Sequence, residues 1–416
     1  MYQWRIKLSI FINYFVFAIL LNSVGTVILQ VQNNYGVTQS AAAVLEPFKD
    51  LSIAIVSFII SSFITKIGYK KSMLIALAFI SLVCFSMPYT NSFFATKLLF
   101  AAIGSSFALI KISVYSTIGL VTRSEKEHIS LMNFVESFFM VGILAGYFIF
   151  SYFVNDKDPH STAWLKVYVW LGACTTFAFI LLLSARLDES KAQQQVQKIS
   201  LAKSVGEMFQ LIVSPIVLIF IACAFFYVLI EQSIMSWLPT FNSQVLKLPT
   251  TLSIEMASIL AGSTAAGRFL AGLVLKKLNW FTALFLCLIL ATILVLVAIP
   301  LAQKTTGQPI TGWATAPIAA FIFPMIGLLI APIYPAINSV ILSTLSVEKQ
   351  GVMSGLIIIF SALGGTTGSL ITGNIFQYYG GTQAFYFSLV PITILALCLF
   401  IFRKLQLKYK QQQSQV

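Results

Sequence analysis

The chain is written as long apolar runs separated by short polar interruptions. Six runs, at about 8–31, 41–65, 72–90, 93–121, 129–153 and 163–185, precede a polar stretch. Six more follow it, at about 212–239, 253–275, 280–301, 314–345, 351–376 and 384–402. A helix crosses hydrocarbon about 30 Å thick with roughly 20 apolar residues, and each run supplies about that many. Backbone groups in lipid must pair within the segment, which selects helices. The pattern predicts an all-α membrane protein of twelve transmembrane helices, spans one to twelve in chain order.

The polar stretch 188–211, with ESKAQQQVQKIS at 189–200, reads as a cytoplasmic linker with room for a short surface helix. It separates six-helix halves at 1–187 and 212–416. The segment from Lys408 onward reads as a disordered tail. Tight basic turns at 65–71 and 276–280 join spans two and three and spans eight and nine. Their equivalent places make the halves a parallel, pseudo-symmetric duplication. The first run begins at Leu8, outlasts a signal-peptide core and lacks a small-residue cleavage site after it, so it reads as a span.

Composition excludes a soluble fold. The 416 residues are 58% hydrophobic and 9% charged, against about 25% charged in a soluble domain. The net charge of +13 reflects topology and gives no sign of a nucleic-acid partner. Most of the 26 basic residues fall on the side that holds both termini, from Arg5 and Lys7 through Lys66, Lys70 and Lys71 to Arg403 and Lys404. The opposite side has only Lys97, Lys157, Lys166, Lys247 and Lys304. The positive-inside rule then puts both termini in the cytoplasm of a bacterial inner membrane. Trp4, Trp164, Trp237, Trp280 and Trp313 stand at span edges and read as interfacial anchors. The five cysteines lie in apolar runs without partners or metal-ligand spacing, so neither a disulfide framework nor a metal site is expected.

The turn 65–71, TKIGYKK, resembles the loop signature of the major facilitator superfamily, Gly-x-Leu-Ala-Asp-Arg-x-Gly-Arg-Lys. Lys66, Gly68 and Lys70 match it. Thr65 stands for the acid, Ser61 for the first glycine and Tyr69 for an arginine. The second half is similar to the fucose:proton symporter and glucose/galactose permease family. Tyr227-Val228, Glu231, Ser233 and Ser236-Trp237-Leu238 match its seventh span; Gly267-Arg268-Phe269 and Gly272 its eighth; Tyr334-Pro335-Ala336 and Ser339 its tenth. Asn133, Glu136 and Ser137-Phe138 fall where that family has polar residues of span five. The resemblance implies a monomeric transporter, without cofactor, that moves a small polar solute such as a sugar together with a proton. The chain departs from the family twice. Span one has no acid, only Asn22 and Thr26, and Lys111 stands where span four of the family carries a glutamate.

Ionisable residues at membrane depth are costly unless paired or wet, and so point to a cavity. Glu136 and Lys111 lie at similar depths in consecutive spans. Their ion pair, as gate or proton carrier, is the sharpest expectation, set against a static pair at a helix contact. Glu231 is a second candidate, in the outer third of span seven. Asp50 is a third, in a cluster with Glu46 and Lys49, where Glu46 reads as a residue of the water interface. Arg268 suits snorkelling to the cytoplasmic surface as well as solute contact. Asn22, Asn133, Gln232, Tyr227, Tyr334 and Asn338 are further polar candidates. Gly142/Gly146, Gly351/Gly355 and Gly364/Gly368 have the spacing of close helix contacts. Pro215, Pro324, Pro332 and Pro335 are expected to kink spans seven and ten.

Three function classes compete. A secondary transporter fits the whole pattern. A membrane enzyme would need chemistry that two loop histidines, His128 and His160, do not offer. A transporter-like sensor would carry long tails or loops. No Gly-x-x-x-x-Gly-Lys-Ser/Thr loop is present for ATP drive. Within transport, the resemblance favours a neutral sugar, whereas Lys111 and Arg268 favour an anionic metabolite such as an organic acid or carboxylate siderophore.

Overall fold

The computed structural model describes residues 3–61, 64–122, 125–189, 201–275, 277–303, 310–344 and 347–413. All regular structure among these residues is helical. Eleven helices are long and apolar enough to cross a membrane. The remaining one, Leu45–Ser61, has 17 residues and is span two. Span one is Gln3–Asn22 continued by Val24–Tyr35; three, Tyr69–Thr90; four, Phe93–Val121; five, Glu125–Phe153; six, Lys166–Ser184. Span seven is Pro215–Met235 followed by Leu238–Gln244; eight, Thr250–Val274; nine, Trp280–Gln303; eleven, Val347–Tyr379. Span twelve is Gly381–Tyr386 followed by Leu389–Gln413.

Breaks in the helices have local causes. The two parts of span one meet at Ser23, whose hydroxyl donates to the Leu20 carbonyl at 2.7 Å. Span ten is a chain of pieces, Ala319–Ile322, Ile326–Ile330 and Ile333–Thr344. Pro324 and Pro332 lie at its breaks, where a residue without N–H cannot continue the ladder. Pro215 does not kink span seven; it opens the helix, where a missing N–H costs nothing.

The chain divides into two compact units, Met1–Val37 with Val44–Leu201, and Thr38–Ala43 with Ala202–Val416. Each repeats one packing scheme. In the first unit span one packs on spans five and six, span two on four, and span three on six. In the second, span seven packs on eleven and twelve, eight on ten, and nine on twelve. Glycines permit the tightest approaches at matching places. A Cβ at Gly142 of span five would stand 2.6 Å from the Phe15 carbonyl oxygen of span one. At Gly364 of span eleven it would stand 2.4 Å from that of Phe225 in span seven. A Cβ at Gly104 of span four would stand 2.3 Å from the Lys49 carbonyl oxygen of span two, and one at Gly327 of span ten 2.8 Å from that of Leu260 in span eight.

Four expectations are corrected. Trp164 and Trp237 are 1% and 0% exposed, so they pack inside their units instead of anchoring at the lipid interface. The Trp237 indole N–H donates to the Ser369 carbonyl at 3.2 Å, which satisfies it without water. Cys223 and Cys398 are not isolated: spans seven and twelve bring their thiols together. The tail stays helical as far as Gln413, because its Lys, Gln and Leu residues are good helix formers. Within the linker, Leu201–Ile212 forms the surface helix, with Met208 against Gly355.

Candidate functional site

Each unit gathers an acid, a base and tyrosines. In the first, Glu136 of span five is half-buried and accepts the Tyr115 hydroxyl of span four at 2.7 Å. Lys111 lies one turn before Tyr115 on the same face. Its ammonium is 5.9 Å from the Phe107 ring centre and 6.0 Å from that of Tyr115. The expected Lys111–Glu136 ion pair does not form among the described residues. Tyr115 satisfies the carboxylate, and the ammonium rests against ring faces, an arrangement that stabilises a cation without neutralising it. Tyr14 of span one completes the cluster, with ring centres 6.2 Å from Tyr115, 6.3 Å from Phe107 and 5.7 Å from Phe139. Its hydroxyl is buried without a hydrogen-bond partner. Neither Tyr14 nor Tyr115 was among the expected residues. The available signal was a tyrosine one helical turn from a lysine at membrane depth.

Asn22 and Asp50 lie apart from this cluster in sequence register. Asn22, two turns beyond Tyr14, donates to the Ala18 carbonyl at 2.8 Å and lines a narrow crevice with Thr26, Gly146 and Tyr147. Asn133 belongs to span five, but its side chain lies outside the described residues. Asp50 is buried, with its carboxylate 3.5 Å from the Lys49 ammonium, which also bonds Glu46. Glu46 is 0% exposed, so it does not sit at the water interface. Lys49 supplies its counter-charge, which is what allows a carboxylate to be buried.

In the second unit Glu231 accepts the Tyr227 hydroxyl, one turn back on span seven, at 2.8 Å. Arg268 of span eight reaches the same carboxylate oxygen at 3.7 Å, so it turns toward the acid and does not snorkel to the surface. Tyr334 of span ten stacks on Tyr227 with ring centres 5.3 Å apart and exchanges a hydrogen bond of 2.9 Å with Ser361. Asn338, one turn further, keeps a buried, unpartnered carbonyl oxygen. Gln232 accepts from Ser236 at 3.5 Å on its own helix. Stacked tyrosine rings, the Glu231 carboxylate and the unpartnered Asn338 oxygen give this unit groups suited to hydroxyls.

The turn between spans two and three has a different role. Gly68 adopts φ +95°, ψ 140°, a conformation reserved for glycine. Glu189 accepts the backbone N–H groups of Tyr69 and Lys70, each at 2.8 Å, and so caps span three. Lys70 in turn donates to the Leu183 and Ala185 carbonyls at 3.1 and 2.6 Å, capping span six. Lys66 is exposed. Glu189 was read as linker; an Asp-Glu pair before a Gln-rich stretch gives little sign of capping a helix more than a hundred residues earlier.

The sequence profile of the major facilitator superfamily matches residues 8–368. The chain belongs to that superfamily. No curated protein sequence matches it significantly. Among solved structures, a bacterial homologue of the human lysosomal transporter Spinster is 14% identical, with a TM-score of 0.78 over 98% of each chain. The D-xylose–proton symporter is 12% identical, with a TM-score of 0.73 over 97% of this chain and 98% of that one. The E. coli fucose:proton symporter FucP is 13% identical, with a TM-score of 0.59 over 98% and 99%. At these identities the likeness is one of fold. As a member of the superfamily, the chain is an integral membrane protein of a family of small-solute transporters. Its turn at 65–71 keeps the superfamily's glycine, while Glu189 supplies from outside the turn a carboxylate for the helix start.

Proposed function

We propose that this protein is a secondary active transporter whose halves alternate access to a midplane site. It carries a small polar solute such as a sugar, together with a proton, into the bacterial cytoplasm. It works as a monomer in the inner membrane with both termini inside. The observation that carries this reading is the recurrence, in each unit, of a carboxylate bonded by a tyrosine hydroxyl at 2.7–2.8 Å, with a basic side chain on an adjacent helix. Such a carboxylate is stabilised without being locked in a tight ion pair. A carboxylate at membrane depth, held this way beside a base, is the group through which a proton would be coupled to the solute. Support for a hydroxyl-rich solute comes from the stacked Tyr227 and Tyr334 rings beside the Glu231 carboxylate and the unpartnered Asn338 oxygen.

The first measurement is thermal stabilisation of the purified protein by sugars and organic anions at two pH values, since a ligand of the folded state raises the melting temperature. The stabilising solute is then added to proteoliposomes containing a pH-sensitive dye. Inward acidification is expected on solute addition. Solute uptake without proton movement would end the proton-coupled reading. Glu231→Gln is expected to remove stabilisation by a sugar, because a neutral amide accepts hydroxyl protons less strongly than a carboxylate.

A further inference from the structure

We propose that Lys111 and the Tyr14 hydroxyl form a subsite for the carboxylate of an anionic solute, and that protonation of Glu136 opens it. The inference rests on the transporter reading and takes, in place of a sugar, the anionic solute class that Lys111 favours. An ammonium inside a membrane protein normally has a carboxylate partner, because an unpaired charge there is costly. Lys49 follows that rule, with Glu46 and Asp50 around it. Lys111 departs from it. It makes no ion pair among the described residues, and its ammonium lies 5.9 and 6.0 Å from the ring centres of Phe107 and Tyr115. Beside the same two rings stands Tyr14, 1% exposed, whose buried hydroxyl makes no close hydrogen bond and has only the Tyr115 hydroxyl as a polar neighbour. A buried hydroxyl left unpaired costs free energy unless a ligand completes it. An ammonium and a hydroxyl beside the same aromatic wall are the donors a carboxylate needs.

Glu136 sets the condition for binding. While ionised, it accepts the Tyr115 hydroxyl and balances Lys111 through space, so the cluster is neutral. A second carboxylate would then face a like charge at short range in a medium of low dielectric. Once Glu136 takes a proton, Lys111 is uncompensated and an anion restores neutrality. The other groups near Glu136 are Tyr14 of span one and Lys111 and Tyr115 of span four. Span six brings Tyr168 against Phe150, toward the far end of span five, and an exposed Lys166. Glu127 at the near end is paired with Lys7 at 2.9 Å. The cluster thus carries the same net charge empty as it does with one proton and one monoanion. Proton and anion are bound together, and their joint transfer moves no net charge.

The test uses the full-length purified protein with lactate, succinate and gluconate as probes and galactose as neutral control. Affinities come from thermal stabilisation between pH 5 and 8. At least one carboxylate is expected to bind, its affinity rising about tenfold per pH unit lowered while Glu136 is ionised, the slope of one obligatory proton. Glu136→Gln should bind it with a flat pH profile. Lys111→Met should lose at least tenfold in affinity, Lys111→Arg should recover part of that, and Tyr14→Phe should weaken binding. Melting temperatures without solute identify a variant that has failed to fold; the flat profile of Glu136→Gln and the weaker binding of Tyr14→Phe are independent readouts. Binding of galactose alone, full affinity in folded Lys111→Met, a persistent slope in Glu136→Gln, or no carboxylate bound at any pH overturns the inference. The dye-loaded proteoliposomes judge the transporter reading separately, since galactose-driven acidification would sustain it while sinking the anion subsite.

Discussion

Two residues at the turn between spans two and three illustrate how much one backbone position can carry. Gly68 holds φ +95° because the chain must reverse between spans two and three in a single residue. A side chain there is strained by about 1–3 kcal/mol, so Gly68→Ala should lower the melting temperature without altering the solute site. Glu189 bonds two N–H groups that the start of span three would otherwise leave open. Glu189→Gln keeps the shape but loses the charge, and should cost about 1–2 kcal/mol in the same melting experiment. The glycine was legible in the sequence, since its neighbours form a signature. The glutamate was not, because a cap is a meeting in space between distant segments. Lys111 and Glu136 show the same limit. Their depth and adjacency could be counted along the helices, but the choice of Tyr115 as partner depends on the rotation of span four about its axis. Nothing in the periodicity of a helix whose polar residues are scattered around it fixes that rotation.

Helices in lipid associate by shape, since lipid tails are as apolar as leucine and no hydrophobic force drives them together. The glycine pairs therefore separate into those that set a helix contact and those that do not. In span five a Cβ on Gly142 would stand 2.6 Å from a backbone oxygen, whereas on Gly146 it would meet only Ile19 Cγ2 at 3.4 Å, ordinary contact. Gly142→Ala should therefore destabilise by about 1–3 kcal/mol and Gly146→Ala should be nearly neutral, judged by melting of the two variants side by side. In span eleven a Cβ on either member of the pair, Gly364 or Gly368, would stand 2.4 Å from a backbone oxygen of span seven, and neither should accept alanine. The spacing of these glycines was plain in the sequence, but it could not tell a packed member of a pair from an idle one. Element ends followed the same division. Span four was legible to the residue at both ends, because Ser92 accepts the Ala95 N–H and starts it. Span twelve ran on past its apolar stretch, since helix propensity continues where hydropathy stops.

At the scale of the whole molecule the sequence made the duplication visible only through two basic turns. The packing makes it explicit: one and five, two and four, three and six recur as seven and eleven, eight and ten, nine and twelve. Parallel repeats of this kind place the equivalent ends of both halves on one side of the membrane. That gives the orientation a direct test. The loop after span five carries exposed Lys157, whereas exposed Lys408 belongs to the helix that closes span twelve. The loops facing the cytoplasm should hold the larger share of Lys and Arg, because basic residues resist translocation. With the five native cysteines replaced, a single Lys157→Cys should react with a membrane-impermeant maleimide added to intact cells. A single Lys408→Cys should react only after the membrane is opened. Labelling of Lys408→Cys from outside would invert the protein. The carboxylates of spans five and seven would then meet their protons from the opposite compartment, and uptake would have to be rewritten as export.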